Sequence, residues 1–299
     1  MSLKTALVIA GPTAVGKTSV AIQVAQALQT DILSADSRQC YQGMAIGTAQ
    51  PSLEEQATIR HHFVDCIPLT TPQNAAGFET YGLQTLDRIF RKADTAVICG
   101  GTGLYLKALL HGLDPMPEVN AGIREATEAE YTEKGINWLR GQLQEDDPAT
   151  FASIDSHNPA RLLRALTFVR SSGKSLFSFQ QGRQTERPFR TVCIALDRPR
   201  EVLYERINQR VTAMLEAGLV DEVKAIMPFR ELQPLQTVGY AEIFRMLDGD
   251  WTLAQATEKI AQHTRNYAKR QLTWFRNSGS YQWLDAGRND LIEEILRQL

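Results

Sequence analysis

The stretch from Ala6-Leu-Val-Ile-Ala10 through Gly11-Pro-Thr-Ala-Val-Gly16 to Lys17-Thr18, and onward to Leu28, decides how this chain is read. Leu7 to Ala10 is a short apolar run of the buried-strand kind, and Gly11 to Gly16 is a glycine-bounded loop. After Lys17 the apolar residues Val20, Ala21, Val24, Ala25 and Leu28 recur at helical spacing. Strand and helix thus enclose Gly11, Pro12, Thr13, Ala14, Val15, Gly16, Lys17 and Thr18, which fit the pattern GxxxxGK[ST] in the context it requires. Glycines let successive N–H groups turn toward an anion, and the helix start adds the positive end of its dipole. Lys17 supplies an ammonium, and Thr18 a hydroxyl for Mg²⁺. The motif specifies phosphate rather than ATP, since a diphosphate fits such a nest equally well.

Outward from this point, short apolar runs recur at Ile32-Leu33, Thr95 to Cys99 and Thr191 to Leu196, with a weaker one at Tyr281 to Leu284. They alternate with helical or loop patterns, so the expected fold is α/β: a P-loop NTPase-like parallel sheet core flanked by helices. Between His111 and Arg190 the strand-like runs stop, and helix-favouring stretches such as Ile123 to Leu143 take over. Pro115, Pro117 and Pro188 mark the exits, which places a mainly helical insertion domain at 117–189 and the core at 1–116 and 190–299. Val202 to Val223 and Leu253 to Arg276 read as further helices.

The 299 residues are 43% hydrophobic and 22% charged, which excludes a disordered or disulfide-scaffold protein. The four cysteines stand far apart and away from histidines, which argues against a zinc site and suits a reducing cytosol. No run reaches the ~20 apolar residues of a membrane span, so a cytoplasmic location is expected, with no membrane partner. The net charge of −2 hides a contrast: residues 155–276 carry 19 Lys/Arg against 13 Asp/Glu. That excess is either a fluctuation on solvated faces or a surface for a polyanion.

Two further segments bear on chemistry. P-loop NTPases hold their metal partly through a carboxylate at the end of an apolar strand, but Ala96 to Cys99 runs instead into Gly100-Gly-Thr-Gly-Leu-Tyr105. Either this glycine turn brings backbone and the Thr102 hydroxyl close to the phosphate, or it is a plain turn into the next helix. Asp36, in Ser34-Ala-Asp-Ser-Arg-Gln-Cys-Tyr41, follows Ile32-Leu33 at the carboxyl end of the second strand, where ligands of open parallel sheets bind. It reads as a general base or as a helix N-cap. Arg206 and Arg210, spaced i and i+4, either clamp a diphosphate from the far side or pair with Glu201 and Glu205 on a solvated face.

These segments, taken together, resemble the bacterial tRNA dimethylallyltransferase family. The likeness is carried by Gly11 to Thr18, Asp36-Ser-Arg-Gln39 with Tyr41, Ile46-Gly-Thr-Ala49 with Pro51, His61-His62 and Gly100 to Tyr105. It continues through Asn158-Pro-Ala-Arg161 with Arg164-Ala-Leu166, Val238-Gly-Tyr240, and Thr264-Arg265 with Ala268-Lys-Arg-Gln271 and Trp274. The sequence departs from the family at Cys40, usually aliphatic, and Arg38 stands at a variable position. The resemblance implies a prenyltransferase that moves a dimethylallyl group from its diphosphate to N6 of the adenosine immediately 3′ of the anticodon. It implies that Gly11 to Thr18 hold the diphosphate with Mg²⁺ assisting at Thr18, with Thr13, Lys17 and Thr18 nearest the leaving group. It further implies Asp36 as the base and Thr102 as a contact of the target adenosine. By the same likeness Asp36, Ser37, Arg38 and Gln39, with Ala160, Arg161, Leu162, Leu163 and Arg164, contact the tRNA anticodon stem-loop. A monomer is expected. The alternatives are an adenylate isopentenyltransferase, sharing fold and donor, and a P-loop small-molecule kinase using Asp36 on an alcohol.

Overall fold

The structure, a computed structural model, describes residues 3–179, 182, 184–279 and 281–299. Two compact units emerge, residues 1–111 with 186–299 and residues 112–185. These limits lie five and four residues before those marked by the prolines. The cause on the return side is Arg187, only 9% exposed, which donates to Glu79 Oε1 at 2.5 Å and to the Ala108 carbonyl at 2.9 Å and so belongs to the first unit.

The first unit opens with β1 (Thr5–Ala10), α1 (Lys17–Ala27), β2 (Ile32–Ser34), α2 (Leu53–Thr58), β3 (His61–His62), α3 (Ala75–Phe90), β4 (Thr95–Gly100) and α4 (Gly103–His111). The second unit holds α5 (Ala121–Asp146), α6 (Pro148–Ser153) and α7 (Pro159–Ser172). The chain then returns through β5 (Arg190–Asp197), α8 (Arg200–Glu216), α9 (Leu219–Ala225), α10 (Tyr240–Leu247), α11 (Leu253–Asn277), β6 (Gln282–Asp285) and α12 (Leu291–Leu296).

All six strands pair in parallel in the order β3-β2-β4-β1-β5-β6. Strand β1 is buried along its whole length because helices cover both faces, which is why its sequence is a continuous apolar run and not an alternating one. The chain leaves β1 toward β2 but returns to its other side as β5, so the crevice beyond the strands' carboxyl ends opens between the loops after β1, β2 and β4. Helix α1 packs Val20, Ala21, Val24 and Ala25 into the core formed with Leu7, Ile9, Val97, Ile194 and Leu196.

Two long helical readings are shorter in the structure. The span Val202 to Val223 is α8 and α9, parted at Gly218 with φ 97°, and α5 is interrupted at Gly135 with φ 77°. Helix α3, which the sequence reading leaves unassigned, is capped by Asn74 and buries Phe78, Leu86 and Ile89. In the second unit α5 and α7 bury Leu139, Leu143, Leu162, Ala165, Leu166 and Phe168, and the buried Asp147 joins two segments by accepting from Thr150 N, Ser175 Oγ and Leu176 N.

Candidate active site

The loop after β1 is shaped by its glycines and held from outside by arginines. Gly11 has φ 141°, and a Cβ there would sit 2.6 Å from the Leu196 carbonyl of the neighbouring strand. Gly16, at φ 110°, starts α1 without a side-chain cap, which leaves that end open to a ligand. Val15 turns into the core, while Lys17 Nζ donates to the Pro12 carbonyl at 2.7 Å. On the far side Arg206 Nε donates to Ala14 O at 2.7 Å, and Arg210 Nη1 to Thr13 Oγ1 at 3.0 Å. Neither arginine pairs with Glu201 or Glu205 among the described residues. Glu205 takes its hydrogen bond from Gln209 at 2.9 Å instead. Arg198, which the sequence reading passed over, adds a third bond, Nε to Val15 O at 3.0 Å. Its signal was positional, since it directly follows Asp197 at the carboxyl end of β5.

The charges here are crowded. Burial lowers the Lys17 ammonium to about 8, with Cys99 and Asp36 opposing that shift and Arg210 adding to it. Burial likewise lowers Arg210, opposed by Asp36, and lowers Arg206, reinforced by Arg198. Arg198, Arg206 and Arg210 have no carboxylate within salt-bridge distance among the described residues, so this wall of the cleft, lined by Arg206 and Arg210 and backed by Arg198, carries positive charge.

Facing it across a cleft of about 1070 Å³ is the turn after β2, and Thr13, Lys17, Thr18, Asp36, Arg38 and Arg210 all line that space. Asp36 does cap, but it caps a turn and not a helix. Its Oδ1 accepts from Arg38 N at 2.9 Å and from Gln39 N at 3.3 Å, while Oδ2 takes no hydrogen bond among the described residues. The capping and base readings are therefore compatible, one on each oxygen. Thr102 closes the group: its Oγ1 accepts from Ser37 N at 3.0 Å, and its own N–H donates to Ala35 O at 3.2 Å.

The glycine turn after β4 serves three close approaches. A side chain at Gly100 would collide with the Ala35 backbone, one at Gly101 with the Gln271 amide, and one at Gly103 with the Trp274 indole. Gln271, buried in α11, uses the space so left: Nε2 donates to Gly101 O at 2.9 Å, and Oε1 accepts from Thr13 N at 2.8 Å. One amide from the end of the chain thus joins the phosphate loop to the glycine turn.

Other expected contacts fall differently. Leu162 is fully buried in the core of the second unit and Leu163 packs against that core, so Leu162 offers RNA no side-chain surface. Arg161 and Arg164 are exposed on the same helix α7, with Ala160 exposed beside them. The side-chain amide of Gln39 is spent on Thr48 O, Ala49 O and Ser34 Oγ, which makes Gln39 a support of the turn. On α11 the aromatic residues divide: Phe275 is core, Tyr267 lines the cleft, and Trp274 is 39% exposed. Arg276 is tied to Asp197 at 3.2 Å and Arg265 to Asn208 at 2.9 Å, whereas Lys269 and Arg270 stay exposed.

Comparison with known proteins agrees with this architecture. A family model described as IPP transferase matches residues 39–278. The chain is 45% identical over 284 residues to a tRNA dimethylallyltransferase of Cytophaga hutchinsonii, covering 95% of this chain and 93% of that protein. It is 42% identical to the corresponding protein of Christiangramia forsetii, covering 94% and 93%. Among solved structures, the full-length tRNA isopentenylpyrophosphate transferase of Bacillus halodurans superposes with a TM-score of 0.72 at 34% identity, covering 99% of this chain and 94% of that one. A eukaryotic dimethylallyltransferase acting on tRNA does so with a TM-score of 0.79 at 25% identity, covering 99% and 77%. The likeness extends along nearly the full length of such relatives, and this chain belongs to the IPP transferase family.

Proposed function

We propose that this protein transfers a dimethylallyl group from dimethylallyl diphosphate to N6 of the adenosine immediately 3′ of the anticodon in tRNA, releasing diphosphate. The observation that carries the reading is the opposition of an arginine-backed phosphate loop and a carboxylate with a free oxygen across one cleft. As the bond from the allylic carbon to the bridging oxygen breaks, negative charge grows on the diphosphate. Lys17, Arg206, Arg210 and the N–H groups at the start of α1 are fixed in advance where that charge appears. N6 forms its bond to the same carbon, and Asp36 takes the proton N6 must lose, a contribution of ~10²–10⁴-fold in typical general-base catalysis. Thr102, held by Ser37 and the Ala35 carbonyl, positions the adenine beside Asp36.

Mg²⁺ fits this site as an ion that keeps most of its ligands from phosphate and water. The Thr18 hydroxyl lies in the cleft without a hydrogen bond among the described residues, and those residues hold no group of three or more metal-ligating side chains. Thr18 would hold the ion, and the ion would neutralise the leaving diphosphate.

Arg161 and Arg164 on α7, with Ser37 and Arg38 beside the base, are the proposed RNA contacts, since exposed arginines supply the sequence-independent part of RNA affinity. No helix of the described residues is long and apolar enough to cross a membrane; the proposed place of work is the cytoplasm, where tRNA is found. The proposed working unit is a single chain.

The test offers labelled dimethylallyl diphosphate and Mg²⁺ with unmodified tRNA, AMP or ATP in separate reactions. Label is expected in tRNA at the adenosine 3′ of the anticodon. Label in AMP alone would make the protein an adenylate isopentenyltransferase, and label in none of the acceptors would remove prenyl transfer and favour the kinase.

A further inference from the structure

Two motifs, Ile46-Gly-Thr-Ala49 and Val238-Gly-Tyr240, have no part in the chemistry above, and in the fold they meet at one carboxylate. Glu222, on α9, accepts from Ile46 N through Oε2 at 2.7 Å and from Gly47 N through Oε1 at 2.9 Å. The same Oε1 accepts from the Tyr240 hydroxyl at 2.6 Å. Tyr240 is fully buried, and its ring lies so close to Gly47 that a Cβ there would stand 2.6 Å from ring carbons. The chain so gripped continues into Thr48 and Ala49, whose carbonyls accept from Gln39 Nε2 at 3.2 and 2.8 Å. Gln39 ends the turn that Asp36 begins, and its N–H reaches Asp36 Oδ1. An unbroken relay thus runs from α9 to the base: Glu222, the 46–49 backbone, Gln39, Asp36.

We propose that Glu222 is a positioning residue for the general base, holding the 46–49 loop so that Gln39 fixes where Asp36 presents its second oxygen. The proposal rests on the reading of Asp36 as the base. Three donors converge on two oxygens, which suits a carboxylate and not an amide: glutamine would turn an NH₂ group toward one of the two backbone N–H donors. The consequence for rate is large because reacting groups displaced by ~1 Å lose up to ~10²-fold.

The test is a double-mutant cycle read as single-turnover prenyl transfer, with tRNA and dimethylallyl diphosphate both saturating. Glu222→Gln should slow transfer by about tenfold while donor affinity holds. In an Asp36→Asn background the same change should cost less than about twofold, because no base remains to be placed. Tyr240→Phe, which keeps the ring on Gly47 and loses one donor, should slow transfer by a few-fold and show the same masking; it carries the cycle if Glu222→Gln does not fold. An undiminished loss in the Asp36→Asn background, or wild-type rates for both single variants, overturns the proposal. A wild-type rate for Asp36→Asn itself removes the base and the proposal with it, and that result is distinct because it appears without touching Glu222.

Discussion

The phosphate loop and the Asp36 turn face the same cleft, yet different means hold them. The loop is a continuous run of eight residues whose working groups are main-chain N–H and one lysine, braced from behind by three arginines that bond its carbonyls and Thr13. The turn depends on side chains: Asp36 caps it, Thr102 reaches it from the glycine turn after β4, and Gln39 ties it to a loop ten residues on. A backbone device tolerates neighbours that shift slightly, because its donors are numerous and its charge acts over distance. A device of single side chains does not, since proton transfer needs hydrogen-bond reach. Loss of one group should therefore be steeper on the turn than on the loop.

The sharpest break is Asp36→Asn. The amide oxygen can still accept from Arg38 N and Gln39 N, so the turn should keep its shape, but the amide cannot take a proton. Single-turnover transfer with both ligands saturating should fall by ~10² or more while both remain bound. A rate within a few-fold of wild type would reduce Asp36 to a cap.

On the loop side Lys17→Ala should cost less, about ten- to a hundredfold in kcat/KM for the diphosphate, as expected for a charge-assisted contact of roughly 1.5–3 kcal/mol. tRNA binding should change little. In the free enzyme the ammonium is charged below about pH 8 and loses its proton above it. The wild-type kcat/KM for the diphosphate should accordingly fall as pH rises through about 8, and this limb should be missing in Lys17→Ala. A limb that persists in the variant would assign the titration to another group.

The smallest effect is expected in the second unit, on α7. Replacing Arg161 and Arg164 with alanine should weaken tRNA binding and make its log-log salt slope shallower by roughly one to two units, since each phosphate contact releases somewhat less than one counterion. Transfer at saturating tRNA should be unchanged. An unaltered slope would put both arginines off the RNA.

Most of the sheet and the loop were legible because local sequence dictates them. A buried parallel strand must be continuously apolar, and an anion nest needs glycines at set spacing before a helix. The 46–49 and 238–240 segments, by contrast, were readable only as likeness to a family, for nothing local in them points to Glu222. Leu162 lay among charged neighbours in a segment read as RNA contact, although the helical phase of α7 turns it into the core.

The sequence by itself determined that a glycine-bounded loop would join β1 to α1 and that Asp36 would stand at a strand's carboxyl end, because both follow from neighbours a few residues away. Only the tertiary structure decided what makes these groups usable. Gln271 reaches Thr13 across 258 residues of chain, Arg210 reaches the same residue across 197, and Glu222 reaches Gly47 across 175. Such contacts arise from chain closure and from the close approach that Gly47 and Gly101 permit, and those are properties of packed surfaces that no local pattern of residues encodes.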